Sequence, residues 1–435
     1  MAAETVSEQT TGHVAFLYRL DEFLAARRRP GALCGLVVIH LGNLHRINTT
    51  TGYRAGQSLY RRFIVALREL LRDQDWLLPL SDDRFGVVLD DVRNAGHLVL
   101  AANRMARTAA ELAAPGGTGI GLDACAGAAL FPQHGNSAEL LLRHSEFAVE
   151  SARREQVAFA LYRPEDTRQL TDEWDLEAEL RAGIKNSELH LCYQPKVDAR
   201  TLSPCGAEAL MRWNSPQRGP VSPERFIAVA ERSELIDTLS EFTLHSAARD
   251  AAEWPSVHGA LHVAVNVSPA TIEYGDVLGY IRHVAAIWGL DIRRFTVEVT
   301  ENGIISAGGA ALRVLRALRD TGVRVSIDDF GTGNSSLAYF RDIPADEVKI
   351  DKSFIVAMDA DDRNRRLVRS IIDLAHAFEL TVVAEGVETA QAAELLLQLG
   401  CDVLQGFHFS RPVVQEQFLQ YLQQPRPDRV VSTQA

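Results

Sequence analysis

Val323-Arg324-Val325-Ser326-Ile327, running straight into Asp328-Asp329-Phe330-Gly331-Thr332-Gly333, decides the fold of this chain. The first five residues are a short, mostly apolar run that reads as a buried strand, and the glycine-rich end reads as a loop. An acidic pair therefore stands where a strand stops. Adjacent carboxylates repel and raise each other's pKa unless a cation lies between them. The pair reads either as an acidic loop or as two metal ligands.

The same design recurs on both sides. Glu208, Asn266, Glu298, Lys349, Glu385 and Gln405 each close a predicted strand, and together with Asp328 they are 58, 32, 30, 21, 36 and 20 residues apart. That is about the pitch of repeated strand–helix units. Strands are predicted over 189–193, 206–212, 261–267, 295–300, 323–327, 347–350, 381–384 and 403–405. Amphipathic helices are predicted between them, over 223–232, 237–254, 276–288, 310–319, 364–378 and 390–399. Ser222-Pro223 is a helix-start signal, and Gly322 and Gly400 follow helix ends. Eight strands with interleaved helices in about 240 residues give a (β/α)8 barrel of TIM type. The strand ends of such a barrel meet on one rim, where the active sites of this fold sit. Taken singly, Glu208, Glu298 or Glu385 reads as a solvated carboxylate. Taken together, with Lys349 as the one cation nearby, the carboxylates and an amide oxygen read as a site for hard divalent ions.

With Tyr193-Gln194-Pro195 ahead of these motifs and Gln405-Gly406-Phe407-His408-Phe409-Ser410-Arg411-Pro412 at their end, residues 189–412 resemble the EAL-type cyclic di-GMP phosphodiesterases. The resemblance implies a barrel whose first strand runs antiparallel to the others. It also implies hydrolysis of cyclic di-GMP to linear 5′-pGpG with two Mg2+ or Mn2+ ions. Glu208, Asn266, Glu298 and Asp328 then hold one ion, and Asp328 bridges to a second held with Asp329 and Glu385. Lys349 orients the attacking water, Gln405 positions water or ligand, and Arg212 and Gln194 contact the substrate. Glu301 and Glu388 anchor the loop over 329–336, where Asn334 replaces the usual Tyr. A homodimer is implied as well. A non-catalytic cyclic di-GMP receptor is the alternative reading; the complete ligand set favours the enzyme.

Residues 13–163 read as a smaller α/β sandwich ahead of this barrel. An apolar run at 33–41, a helical pattern at 53–72 and two short runs at 76–80 and 85–89 around Ser81-Asp82-Asp83-Arg84 suggest a central sheet with a hairpin. Helices near 95–113 and 137–153 and strands near 119–131 and 157–162 complete it. The polar segment 163–171 reads as a joint, with the barrel domain over 172–425. The first domain is similar to GGDEF-type diguanylate cyclases, with Ser81-Asp82-Asp83-Arg84-Phe85 in place of the signature pentapeptide. Arg84 reverses the sign of a catalytic carboxylate. His40 stands where that family has a metal-ligand Asp, Thr49 and Gln57 replace acids, and only Asn48 remains of the set. This implies a regulatory module without cyclase activity. Arg72-Asp73-Gln74-Asp75 has the spacing of the family's inhibitory product site and reads either as a vestige of it or as a capped turn.

Bulk properties exclude several classes. A net charge of −12 over 435 residues argues against binding polymeric nucleic acid. Five scattered cysteines fit neither a disulfide framework nor a zinc site. No apolar run is long enough to span a bilayer, and the start lacks a signal pattern, so a cytoplasmic protein without membrane insertion is expected.

Overall fold

Residues 13–27, 33–112, 122–233, 235–255, 259–331, 343–358 and 361–424 are described by a computed structural model. The chain divides into two units, Met1–Asp175 and Leu176–Ala435.

In the first unit five strands form one sheet in the order β2-β3-β1-β4-β5. They are β1 Cys34–Leu41, β2 Trp76–Pro79, β3 Arg84–Leu89, β4 Ala124–Phe131 and β5 Phe159–Leu161. β1 lies at the centre and every residue in it is buried, as its unbroken apolar run requires. Two helices were not foreseen. His13–Ala25 buries Phe16, Leu20 and Leu24, an i, i+4, i+8 stripe. Leu44–Thr51 hides behind a run of threonines, whose hydroxyls bond back to carbonyls of their own helix.

The segment 163–171 is helical from Pro164 onward. One helix runs over Pro164–Lys185. Pro at its first position and Glu165 and Asp166 in its first turn suit a helix N-terminus, and the Asp166 carboxylate accepts the Arg163 N–H at 3.0 Å. The polar residues and the proline of this segment thus belong to a helix start.

In the second unit eight strands close a barrel: β6 Leu189–Asp198, β7 Pro204–Ser215, β8 His262–Asn266, β9 Phe295–Thr300, β10 Arg324–Phe330, β11 Glu347–Ile350, β12 Thr381–Ala384 and β13 Val403–Gln405. β6 pairs antiparallel with both β7 and β13, and every other barrel pairing is parallel. The reversed first strand agrees with the resemblance. β7 is longer than expected and pairs at its end with the short strand Gly219–Val221. Glu208 therefore sits inside a strand and not at its end.

Alternation along these strands sets the chemistry of the interior. Val297 and Val299, Val325 and Ile327, and Val348 and Ile350 belong to one apolar core with Ile281, Leu315, Ile372 and Leu396 of the surrounding helices. Fully burying each such side chain contributes about 1.5–3 kcal/mol. The residues between them, Glu298, Ser326, Glu347 and Lys349, are buried as well. Because side chains alternate across a strand, these polar groups fill the barrel lumen. Gly406 lets the chain pass Val387: a Cβ there would collide with Val387 backbone atoms.

None of the five cysteines is paired. Among the described residues, no helix is long and apolar enough to cross a membrane.

Candidate active site

Lys349 of β11 stands at the hub of the rim. Its Nζ lies 2.7 Å from Glu385 Oε1, 2.8 Å from Glu298 Oε2, 3.2 Å from Asp328 Oδ1 and 3.4 Å from Glu208 Oε2. Carboxylates from four different strands or their ends thus converge on one fully buried ammonium. Glu208 is held from both sides: Asn266 Nδ2 donates to its Oε1 at 2.6 Å, and Gln405 Nε2 donates to its Oε2 at 2.6 Å. Gln405 Nε2 also donates to Gln194 Oε1 at 3.1 Å. Gln405 Oε1 is buried and finds no hydrogen-bond partner among the described residues.

Asp328 and Asp329 meet through a local irregularity. Consecutive side chains of a regular strand face opposite sides. Here the β10–β11 register shifts between Ile327 and Phe330, and Asp329 takes a left-handed φ of 54°, a conformation Asp tolerates better than most residues. The Asp329 N–H donates to Asp328 Oδ1 at 2.9 Å. As a result, one carboxylate oxygen from each of Asp328, Asp329 and Glu385 lies within 4.8 Å of the others.

The electrostatics match the geometry. Burial pushes the Glu385 carboxyl up to about 8, with Asp328 and Glu208 adding to the effect against Lys349. Burial raises Glu208 and Asp328 too, each with Glu298 adding to it against Lys349. It raises Asp329, beside Asp351. Glu298 goes the other way: burial opposes its charge, but Lys196 and Lys349 outweigh burial and hold it down to about 2. Lys349 stays charged well above the ordinary lysine value, because its four carboxylates outweigh the cost of burial. Among the described residues, six carboxylates in this cluster (Glu208, Glu298, Asp328, Asp329, Glu347, Glu385) gather with two ammonium groups (Lys196, Lys349). Fully ionised, they leave an excess of four negative charges. All-oxygen donors with that deficit fit two hard divalent cations.

Other expected residues are placed as follows. Arg212 lines a cavity of about 460 Å3 beside the rim, together with Met211, Ile227, Asn266, Glu298 and Asn302. Its Nη1 donates to the Met211 carbonyl at 2.8 Å. Gln194 is buried beside Gln405, and its Nε2 donates to the Ser410 carbonyl at 3.3 Å. Glu301 Oε2 accepts the Gly331 N–H at 3.0 Å, where the loop begins. Glu388 is exposed. Asn334 and most of its loop lie outside the described residues.

Lys196 was missed. It is a second buried cation near the rim, 2.6 Å from Glu298 Oε1 and 2.9 Å from Glu347 Oε1, so Lys349 does not balance the acids alone. Two-residue stepping gives it away: Lys196, Ser326 and Glu347 each lie two positions from a rim residue (Gln194, Asp328, Lys349) and so share its face.

The first unit has its own charged cluster, and there each acid lies close to a basic side chain. His40 and Arg84 are cross-strand partners. His40 Nε2 lies 3.3 Å from Asp83 Oδ2, while Arg84 lies 3.1 Å from Glu150 and 3.9 Å from Glu146. Burial, then Arg84, lowers the His40 pKa. Arg72 and Asp75 line a cavity of about 260 Å3 with Asp90, His97 and Arg104. Asp75 does the work of a turn brace, accepting the N–H groups of Arg72 at 3.0 Å and Asp90 at 2.9 Å. Arg72 Nη2 lies 3.3 Å from His97 Nε2.

Comparison with known proteins agrees with this layout. Residues 177–412 match the EAL domain family, and residues 11–157 match the family described as diguanylate cyclase, GGDEF domain. The cyclic di-GMP phosphodiesterase NbdA of Pseudomonas aeruginosa is 33% identical over 394 residues, which is 89% of this chain and 49% of NbdA. The bifunctional diguanylate cyclase/cyclic di-GMP phosphodiesterase MucR of the same organism is 30% identical over 92% of this chain and 59% of its own length. The chain thus spans about half the length of these curated relatives. A solved structure of the PaMucR phosphodiesterase in complex with c-di-GMP is 38% identical, with a TM-score of 0.54, over 56% of this chain and 99% of that one.

Proposed function

The chain belongs to the EAL domain family, and from that premise we propose that its second unit hydrolyses cyclic di-GMP to linear 5′-pGpG with two Mg2+ or Mn2+ ions. One observation carries the reading: carboxylates from separate strands crowd around Lys349, and Asp328, Asp329 and Glu385 bring oxygens within 4.8 Å of one another. Acids so close oppose each other's ionisation, and a dianionic substrate beside them would be repelled.

In this reading Glu208, Asn266, Glu298 and Asp328 hold one ion, and Asp328, Asp329 and Glu385 hold the other. Divalent ions bound there supply Lewis-acid activation of water and positive charge toward the phosphate. Lys349 holds the attacking water by donating from its ammonium, and Gln405 offers its buried carbonyl oxygen to the same region. Water adds to phosphorus, the P–O3′ bond breaks, and the 3′ oxygen leaves as a hydroxyl, which keeps the phosphate on the 5′ side. Arg212 contacts phosphate, as a guanidinium fork does well, and Gln194 closes the site near Ser410. Glu301 and Glu388 anchor the loop that starts at Gly331. The first unit serves as a regulatory module without cyclase activity: no acid stands where Arg84 does, and Arg84 is already matched by Glu146 and Glu150. The family likeness also carries the expectation of a homodimer, which light scattering decides.

The test is to incubate the full chain with cyclic di-GMP and Mg2+ or Mn2+ and to follow 5′-pGpG by chromatography. Turnover is expected with either ion, and Glu208→Ala is expected to lose at least about a hundredfold, beyond the effect typical of groups that only support a ligand. Binding without turnover would replace the enzyme by a receptor. Full activity in the variant would remove Glu208 from the ligand set.

A further inference from the structure

Beneath the rim lies a second charged layer, of which the proposed chemistry uses only Glu298. Lys196 and Glu347 are each about 5% exposed, and Ser326 and Glu298 are fully buried. Lys196 Nζ reaches Glu298 Oε1 at 2.6 Å and Glu347 Oε1 at 2.9 Å, and Ser326 Oγ donates to the same Glu347 oxygen at 2.9 Å. Glu298 is thereby divided. Its Oε1 belongs to Lys196 below, and its Oε2 belongs to Lys349 at the hub.

That division has a chemical consequence. A carboxylate can offer a cation one oxygen or two, and Ca2+ takes bidentate carboxylates and more ligands than Mg2+, which demands a tight octahedral set. A buried, charge-assisted hydrogen bond at 2.6 Å holds one oxygen firmly. Lys196 in turn is held on its other side by Glu347, which accepts from Ser326. The three residues come from β6, β10 and β11, so the clamp spans the lumen from one wall to the other.

We propose that Lys196, braced by Glu347 and Ser326, is a positioning residue for the cation site: it withholds Glu298 Oε1, so that Glu298 presents a single oxygen, Oε2, to a divalent ion. The clamp rests on the reading of the rim as a divalent-ion site. It adds to that reading both a residue outside the ligand set and a function, discrimination between small and large ions.

The experiment is calorimetric titration of the metal-free full chain with Mn2+ and with Ca2+, alongside thermal melting. In Lys196→Met/Glu347→Gln one positive and one negative buried charge are removed together, so neither partner is stranded. Mn2+ affinity is expected to fall about 10–100-fold, the usual effect of losing a group that orients a ligand. The preference for Mn2+ over Ca2+ is expected to shrink in the same variant, because Glu298 regains its second oxygen. Lys196→Arg, which keeps the charge, is expected to hold Mn2+ affinity within a few-fold of the parent and guards against a double variant that does not fold. A folded double variant with unchanged Mn2+ affinity and ion preference overturns the clamp while leaving the rim reading intact. Loss of Mn2+ binding in folded Lys196→Arg as severe as 100-fold overturns it also, since the charge alone should suffice. A parent chain that binds no Mn2+ overturns the rim reading and the clamp together.

Discussion

Two groups of charged side chains, one in each unit, show what separates a closed cluster from an open one. In the first unit His40 answers Asp83, and Arg84 answers Glu146 and Glu150. In the barrel six carboxylates meet two ammonium groups, and the surplus acids respond by binding protons more tightly. In the first cluster every acid has a basic neighbour. In the second the acids outnumber the cations, an excess that protons or divalent ions can offset.

The sharpest attempt to break this contrast removes the hub. Lys349→Met leaves four carboxylates, Glu208 and Glu298 among them buried, without their shared cation, and the metal-free chain is expected to lose about 3–5 kcal/mol in denaturant unfolding. Turnover is expected to fall by about 10²–10⁴-fold as well, and Mn2+ is expected to restore part of the stability. A variant as stable as the parent would show that Lys349 balances nothing.

Proton counting sharpens the contrast next. With Glu385 held at about 8, the rim carries protons at pH 7 that a divalent ion must displace. Mn2+ uptake is expected to release protons at pH 7 and fewer at pH 9, read by calorimetry in buffers of different ionisation enthalpy. Equal release at both pH values would mean that the surplus acids are already ionised.

The first unit should respond to acid in its own way. His40 has a folded pKa below its ordinary value, so its contribution to stability is complete above about pH 6.5 and is lost as pH falls through the lowered value. His40→Gln is expected to flatten this part of the stability profile, followed by tryptophan fluorescence. An unchanged slope would place the acid sensitivity elsewhere. Smallest of all, Arg84→Ala is expected to cost about 1 kcal/mol or less, since its ion pairs are only partly buried, and to yield no diguanylate cyclase activity from GTP. Appearance of cyclic di-GMP would undo the regulatory reading of this unit.

The barrel was legible because its signals repeat. One polar group per strand–helix unit names the rim, and the β-branched runs name the walls. The site residues Glu208, Asn266, Glu298, Asp328, Asp329, Lys349, Glu385 and Gln405 do gather there. Lys196 and Glu347 stayed hidden because each reads alone as an ordinary charge in or beside a strand; only their shared face, two residues below the rim, brings them together. The helix start at Pro164 stayed hidden for a different reason. Proline with acidic residues marks both linkers and first turns, and only the Asp166 bond to Arg163 separates the two.

The left-handed residue in β10 has a mechanical corollary. Asp328 and Asp329 are joined by one peptide unit, so their Cα atoms stay about 3.8 Å apart whatever the barrel does. Glu385 comes from the neighbourhood of β12 and has no such tether. A displacement of β12 relative to β10 would therefore change the distance from Glu385 to the acidic pair and leave the spacing within the pair as it is.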